Sequence, residues 1–405
     1  MKILVHDYAG HPFQVDLSRE LASRGHDVTH AYFHGDHGPK GRLERSPSDP
    51  AGLTFKGVSL PRPYDKASFV KRRFDDVAYG KFAAALVSSL KPDIVISGNT
   101  PTEAQSAIVK SSVGSGAGFV FWVQDFYSIA VSKLLRKKLG AVGAAIGGYY
   151  SFLERGQFAN SDAIVVITDS FADIARKWVG AKDKVFTIEN WGALNEISPL
   201  SKHNNWARRH GLEGTFNFLY SGTLALKHNP QLLVELAKKV RGHANVVVVS
   251  QGVGVSRLER AKLEQSIDNL ILLPLQPFAD LPEVLATADV AVATIEPDAG
   301  MFSVPSKVQS YFCAERPVLL AAPAENLASQ VVRRTGAGLV VDPTDKEGFL
   351  RGALRLMEEN ALRIASGQNG RKFALENYDI KRVTDRFETV FQHALRARNA
   401  RKGTS

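Results

Sequence analysis

One cysteine, Cys313, stands among 405 residues. An intrachain disulfide framework is excluded, and so is any zinc or iron–sulfur site that needs several thiolates. Such scarcity fits a reducing compartment. Long apolar runs are also lacking. Met1-Lys2-Ile3-Leu4-Val5-His6-Asp7 meets charge too soon for a signal-peptide core. The uncharged, glycine-rich stretch 139–153 is shorter than the roughly 20 apolar residues that cross a bilayer. Acid is the scarcer charge: Asp+Glu 41 against Lys+Arg 51, a net +10. That excess suits an anionic partner such as a nucleotide, a nucleic acid or an acidic lipid. Nucleic acid is disfavoured, because the basic residues are dispersed and no helix-turn-helix, finger or RRM signature stands out.

Hydrophobic residues make up 44% and charged residues 23%, so the chain can bury a core and is no disordered polyelectrolyte. At roughly 150 residues per domain, two or three domains are expected. Short apolar runs alternate with helix-length amphipathic segments, the pattern of parallel α/β sheets. Strands are expected at 2–6, 28–32, 94–97, 119–123, 163–167 and 185–188. Phe13, Leu17 and Leu21 share one helix face between the first two. Residues 190–214 read as a linker. A second series of strands is expected at 216–220, 246–250, 270–273, 290–293, 318–321 and 338–341. The spacing of Ile380, Val383, Phe387, Val390 and Leu395 predicts a long final helix. In open parallel sheets, ligands sit beyond the C-terminal strand ends, so chemistry is sought in those loops.

Several such loops carry useful residues. In Tyr8-Ala9-Gly10-His11-Pro12, Gly10 lets backbone approach a ligand and Pro12 suits a first helical turn, whose N-terminus favours anions. An ordinary strand-to-helix turn is the competing reading. Tyr220-Ser221-Gly222-Thr223 runs on to Lys227-His228-Asn229-Pro230. Gly222 permits close approach, Lys227 offers a point charge to a diphosphate, and Asn229 with Pro230 suits an N-cap and first helical position. No Walker A motif is present in it. Ala299 to Val308 ends in Pro305-Ser306-Lys307, where first-turn amides of Ser306 and Lys307 could hold phosphate oxygens. Gln124 and Asp125 close a first-half strand, although Asp125 could simply cap a helix. Gly252-Val253-Gly254 lacks the third glycine of the dinucleotide fingerprint. The segment with Lys133, Arg136, Lys137 and Lys138 followed by 139–153 is either a loop and buried helix or a basic, apolar surface for anionic lipid.

Taken together, these motifs resemble retaining glycosyltransferases of family GT4, which have the GT-B fold, and the resemblance runs nearly end to end. Its most specific stretch is 269–321: Leu273-Pro274-Leu275-Gln276-Pro277-Phe278, then Leu281-Pro282-Glu283, then Val304-Pro305-Ser306-Lys307, then Arg316-Pro317-Val318, in family order. Thr187-Ile188-Glu189-Asn190-Trp191 resembles the inter-domain hinge. The subgroup it resembles most is that of colanic-acid-type and other exopolysaccharide enzymes.

The resemblance implies two Rossmann-like α/β domains facing across a cleft: 1–190 for the acceptor, 191–378 for the nucleotide sugar, and 379–405 as a helix crossing back to the first domain. It implies donor contacts from Gly10, Gly222, Thr223, Lys227, Gly252, Gln276, Phe278, Ser306, Lys307 and Ser310. Gln276 and Phe278 would line the base pocket. Catalytic roles would fall to Lys227, Asp125, Gln124 and His11. No cofactor and no metal are implied, and a UDP- or GDP-sugar would be the donor substrate. The expected acceptor is a lipid-linked or other saccharide, in exopolysaccharide or cell-envelope synthesis. The expected location is cytoplasmic, peripheral on the inner face of the membrane. Lys71, Arg72 and Arg73, with the basic cluster at 133–138, suit an anionic membrane or lipid-diphosphate acceptor. Four positions depart from the family pattern: Thr223 replaces an arginine, Phe302 and Ser310 replace a glutamate pair, and Gln124 replaces a histidine. A nucleotide-sugar epimerase and a non-catalytic subunit of a glycan assembly complex are the alternatives.

Overall fold

The computed structural model describes residues 1–35, 40–60, 69–98, 100–180, 183–300 and 306–403. It divides into two compact units: Met1–Asn190 with Ile380–Ser405, and Trp191–Asp379.

The first unit is a seven-stranded parallel sheet. Its strands are β1 (Lys2–Asp7), β2 (Asp27–Phe33), β3 (Leu53–Val58), β4 (Ile94–Gly98), β5 (Gly118–Val123), β6 (Ala163–Val166) and β7 (Val185–Thr187), in the order β3-β2-β1-β4-β5-β6-β7. The inner strands read as continuous apolar runs because helices cover both faces, so β4 and β5 are buried along their whole length. Six of these strands correspond to the sequence pattern. Strand β3, Leu-Thr-Phe-Lys-Gly-Val, was not expected: it lies at the sheet edge, and only its first residue is buried.

The connecting helices are α1 (Pro12–Ser23), α2 (Phe69–Leu90), α3 (Thr102–Gly114), α4 (Tyr127–Asn160) and α5 (Asp169–Val179). Helix α4 reverses at Gly140, whose backbone is at φ 55° and ψ −126°. The arms 127–139 and 141–160 fold back on each other as a hairpin. A Cβ at Gly147 would lie 2.5 Å from Ser132 Oγ, so glycine is what lets the arms meet. The rings of Tyr127 and Tyr150 are 5.4 Å apart at the base. Stretch 139–153 is therefore a turn and an exposed helix rather than a loop and a buried one.

The final helix, Ile380–Gly403, completes this unit. Phe387 packs edge-on to Trp122 of β5 at 4.8 Å, and both are buried. Arg24 at the end of α1 donates to Asp385 and Glu388, each at 2.7 Å. Arg401 donates to Asp162 at 2.7 Å.

The second unit is a six-stranded parallel sheet: β8 (Phe216–Ser221), β9 (Ala244–Val249), β10 (Leu270–Leu273), β11 (Val290–Thr294), β12 (Val318–Ala321) and β13 (Gly338–Val341), in the order β10-β9-β8-β11-β12-β13. The core gathers Leu232, Leu233, Leu236 and Val240 against Val246, Val248 and Val292. Part of the expected linker belongs to this unit. Asn204 caps a short helix, Asn205–Arg209, and Trp206 is fully buried there, its amide donating to Glu283 at 2.8 Å. A polar, glycine-bounded stretch hid one anchoring aromatic.

Candidate functional site

In both sheets the strand order reverses at one place, between β1 and β4 and between β8 and β11. Loops leaving those strand ends diverge and open a crevice for a ligand.

At the β8 end, Gly222 sits at φ 118°. Its amide donates to Val249 O at 3.0 Å, and its carbonyl accepts from Ser250 Oγ at 2.6 Å. Gly252, at φ 112°, ends the neighbouring strand connection, and a Cβ there would meet Leu224 O at 2.8 Å. Gly254 is equally crowded, with Leu224 O at 2.7 Å. The Leu224 amide donates to Gln251 O, and its carbonyl accepts from the Gly254 amide, both at 2.9 Å. The Gly-x-Gly pair thus clamps the loop 222–225. Gly252→Ala should destabilise the protein by about 1–3 kcal/mol from backbone strain alone. Urea titration checks it, and an unchanged midpoint would refute this account of the clamp.

Basic groups converge on this loop. Lys227 lies in the one-turn segment Leu226–His228 with its side chain exposed, and its carbonyl accepts from the Glu296 amide beyond β11 at 2.8 Å. The hydroxyl of Thr294 donates to the His228 carbonyl. Lys307 opens the helix Lys307–Cys313, and its Nζ stands 4.7 Å above the Tyr220 ring. Desolvation, with repulsion from Lys227, brings the Lys307 ammonium down to about 7. Burial, then Lys307 and Lys227, holds His228 at about 3, so its ring is neutral and Nδ1 accepts from the Ala225 amide at 3.1 Å. The Lys227 and Lys307 ammonium groups repel each other, and an anion placed between them relieves the repulsion. Fixed charge of this kind can stabilise an anion by electrostatic preorganisation.

Tyr311, on the same short helix, fixes the geometry. Its hydroxyl accepts from the Ser221 amide and donates to Val292 O, both at 3.1 Å, tying the helix to β8 and β11. Nothing in the spacing of the sequence marked it. Ser306 holds the N-cap position and is exposed, while Ser310 is half-buried one turn on. Thr223 offers its carbonyl to the Tyr220 hydroxyl at 2.9 Å. Gln276 and Phe278 follow β10 at the sheet edge. Gln276 accepts from Trp206 Nε1 at 3.1 Å and donates to Pro274 O at 2.8 Å. Asn229 holds the N-cap position ahead of Pro230, but in left-handed backbone and with no capping bond from its side chain. Phe302 and Pro305 lie outside the described residues.

In the first unit, Gly10 (φ 73°) and His11 stand at the β1 end, where a Cβ on Gly10 would meet Leu43 Cδ1 at 2.8 Å. Asp7, fully buried, organises this turn. It accepts from the Ala9 amide at 3.1 Å and from the His11 amide, and faces His11 Nδ1 at 3.5 Å. Burial would raise its pKa, but the His11 ring and its hydrogen bonds outweigh that, and the carboxyl sits below its ordinary value. An aspartate four residues before a histidine was the signal available for it.

Gln124 and Asp125 line a pocket of about 230 Å³, partly open to solvent, with Arg72, Arg73, Glu103, Tyr127, Tyr150 and Glu154. Gly10 and His11 are not among its lining residues. Gln124 forms a reciprocal amide pair with Asn190, at 3.2 and 2.6 Å. Arg72 donates to the Tyr127 hydroxyl at 3.1 Å, and Arg73 pairs with Glu103 at 3.3 Å. Asp125 is not the helix cap: Phe126 holds that position, and Glu154, from the opposite arm of α4, accepts from the Tyr127 and Ser128 amides at 3.1 and 3.2 Å. Burial lifts Glu154 to about 7, against its hydrogen bonds from Ser128. Carboxylates, arginines and tyrosines around one pocket suit a hydroxyl-rich or phosphate-bearing ligand. Among the described residues, no group of three or more His, Cys, Asp or Glu could hold a metal ion.

Two parallel-sheet units of this kind, with glycine turns at their switch points, define the GT-B class of glycosyltransferases. Residues 11–191 match the glycosyl transferase 4-like domain, and residues 203–373 match glycosyl transferases group 1. The chain belongs to the glycosyltransferases that join these two domains. It is similar to an Escherichia coli (strain K12) protein carrying the provisional name colanic acid biosynthesis glycosyl transferase WcaI, 26% identical over 286 residues, covering 67% of each chain. A Pseudomonas aeruginosa glycosyltransferase, WbjE, is 24% identical over 282 residues, covering 67% of this chain and 68% of its own. Among solved structures, Anabaena HepE in complex with UDP-glucose superposes with a TM-score of 0.69 at 12% identity, over 97% of this chain and 99% of that one. Thermosynechococcus elongatus sucrose-phosphate synthase gives 0.75 at 15% identity, over 98% and 99%.

Proposed function

We propose that this chain is a retaining, metal-independent glycosyltransferase. It moves a sugar from a UDP- or GDP-sugar held by the second unit to a lipid-linked saccharide held by the first, in exopolysaccharide or cell-envelope glycan synthesis. It works in the cytoplasm, peripherally on the inner face of the membrane. The observation that carries the reading is the set of basic groups, Lys227 and Lys307, around the Gly222 turn. Their mutual repulsion is what a diphosphate would relieve, and both segments bearing them fall within the group 1 domain. The colanic acid relative supports the glycan pathway, and HepE, crystallised with UDP-glucose, supports a nucleotide-sugar donor. Gln124, Asp125 and the pocket they line supply the acceptor side, with Gly10 and His11 at the end of β1, two strands away.

A thermal-shift panel of UDP-, GDP-, ADP- and TDP-sugars tests the donor. A rise in Tm with one nucleotide class is expected, growing with ligand concentration as mass action requires. No rise with any of the four would overturn the reading.

A further inference from the structure

Helix α4 carries a surface that neither sheet needs. No acidic residue occurs from 128 to 153. Glu154 ends that stretch, but it is buried and turned onto amides of the opposite arm. The hairpin tip instead exposes large apolar side chains: Leu134 at 52%, Leu139 at 53% and Val142 at 64%, with Phe152 farther along at 75%. On the second arm the exposed positions Ala141, Val142, Ala144, Ala145, Gly148 and Phe152 follow helical spacing, so from 141 to 152 this arm turns an uncharged face to solvent, with Arg73 lying over the Tyr149 ring beside it and Arg155 beyond it. On the first arm Lys133, Arg136 and Lys137 are exposed. A soluble helix with an apolar face normally turns it inward. Here the glycines fill the inward face, Gly143 and Gly147 being buried between the arms, and the bulk points out.

We infer that this hairpin docks the protein on an anionic lipid bilayer, with the apolar tip among the acyl chains and the three cations at the headgroups. Charge selects this occupant. A second copy of the chain would bring the same cations face to face, with no acid on the tip to answer them. An anionic headgroup layer pairs them, and the apolar side chains leave water at the same time. The base of the hairpin, at Tyr127, Tyr150 and Glu154, lines the pocket given above to the acceptor. The inference rests on the lipid-linked acceptor reading for its purpose, but lipid binding is measured without donor or acceptor.

The test is flotation of the full chain with vesicles of phosphatidylcholine, with and without about one third phosphatidylglycerol. The protein should float with the anionic vesicles only, and high salt should release most of it. A Lys133→Glu, Arg136→Glu, Lys137→Glu variant should lose at least tenfold in partitioning, as should a Leu139→Ser, Val142→Ser variant. Both should keep the nucleotide-induced rise in Tm of the parent, which shows that they fold and that the donor reading stands or falls separately. Absence of wild-type protein from the anionic vesicles, or equal flotation of all three proteins, would overturn the inference. So would a wild-type dimer in sedimentation that the Leu139→Ser, Val142→Ser variant abolishes, since the face would then belong to a second copy.

Discussion

Replacing Lys227 with alanine is expected to lower sugar transfer by on the order of a hundredfold or more, with the fold intact. The side chain is exposed, and it is the backbone carbonyl, unaffected by the substitution, that accepts the Glu296 amide. Stability should therefore change little, as for other exposed sites. Activity should not escape. The loss of a nucleoside diphosphate builds negative charge faster than the arriving hydroxyl removes it, and a fixed ammonium beside that charge lowers the barrier. Transfer followed by NMR gives both turnover and, from the anomeric coupling of the product, retention. Normal turnover in the variant would remove Lys227 from the mechanism.

Lys307→Met should separate binding from stability, in opposite directions. Lys307 titrates near 7 rather than at its ordinary 10.5, because desolvation and then Lys227 penalise its charge. Between those two pH values the unfolded chain holds one more proton than the folded one. Wild-type stability should therefore rise with pH across that window. Below it both states are protonated and the full penalty persists. The methionine variant, free of that charge, should melt at a higher temperature than wild type without nucleotide at neutral pH, and the advantage should fade toward 10.5. Nucleotide binding should weaken at least tenfold. In wild type, donor affinity should be level below about pH 7 and fall as pH rises, up to tenfold per unit, because the diphosphate prefers the ammonium form. Calorimetric titration with UDP over this range tests the sign. An affinity that climbs with pH would exclude Lys307 from the diphosphate site.

Much of this architecture could be read from residues alone, for a physical reason. Inner strands of parallel sheets are dry on both faces, so β4, β5, β9 and β11 had to be apolar runs, and they were read as such. Strand β3 escaped because an edge strand with Lys56 and Gly57 has no such requirement. The glycine turns at 10, 222 and 252 were found as glycines, but two different causes act in them. Gly222 serves backbone conformation at a strand end and Gly254 makes room for Leu224, whereas Gly10 and Gly252 do both, each at positive φ with no space for a Cβ. Partners from distant sequence were not legible. Glu154 caps the helix start 27 residues earlier, and Tyr311 reaches back to Ser221, 90 residues away. The hairpin of α4 was half visible: its lack of acid could be counted, but only the reversal at Gly140 decides which side of it faces water.

The final helix has a consequence for how the protein is made. Segment Ile380–Gly403 supplies Phe387 against Trp122, and Arg401 to Asp162, in the unit that contains β1. A ribosome releases the strands of that unit first and its last helix only after the whole of Trp191–Asp379 has emerged. The unit begun first is thus the one finished last, and Trp122 waits uncovered while the second unit, contiguous in sequence, can fold outright. The newly made first unit is the species expected to expose apolar surface longest, and a chain stalled before residue 380 should present it, not the second unit, to proteases.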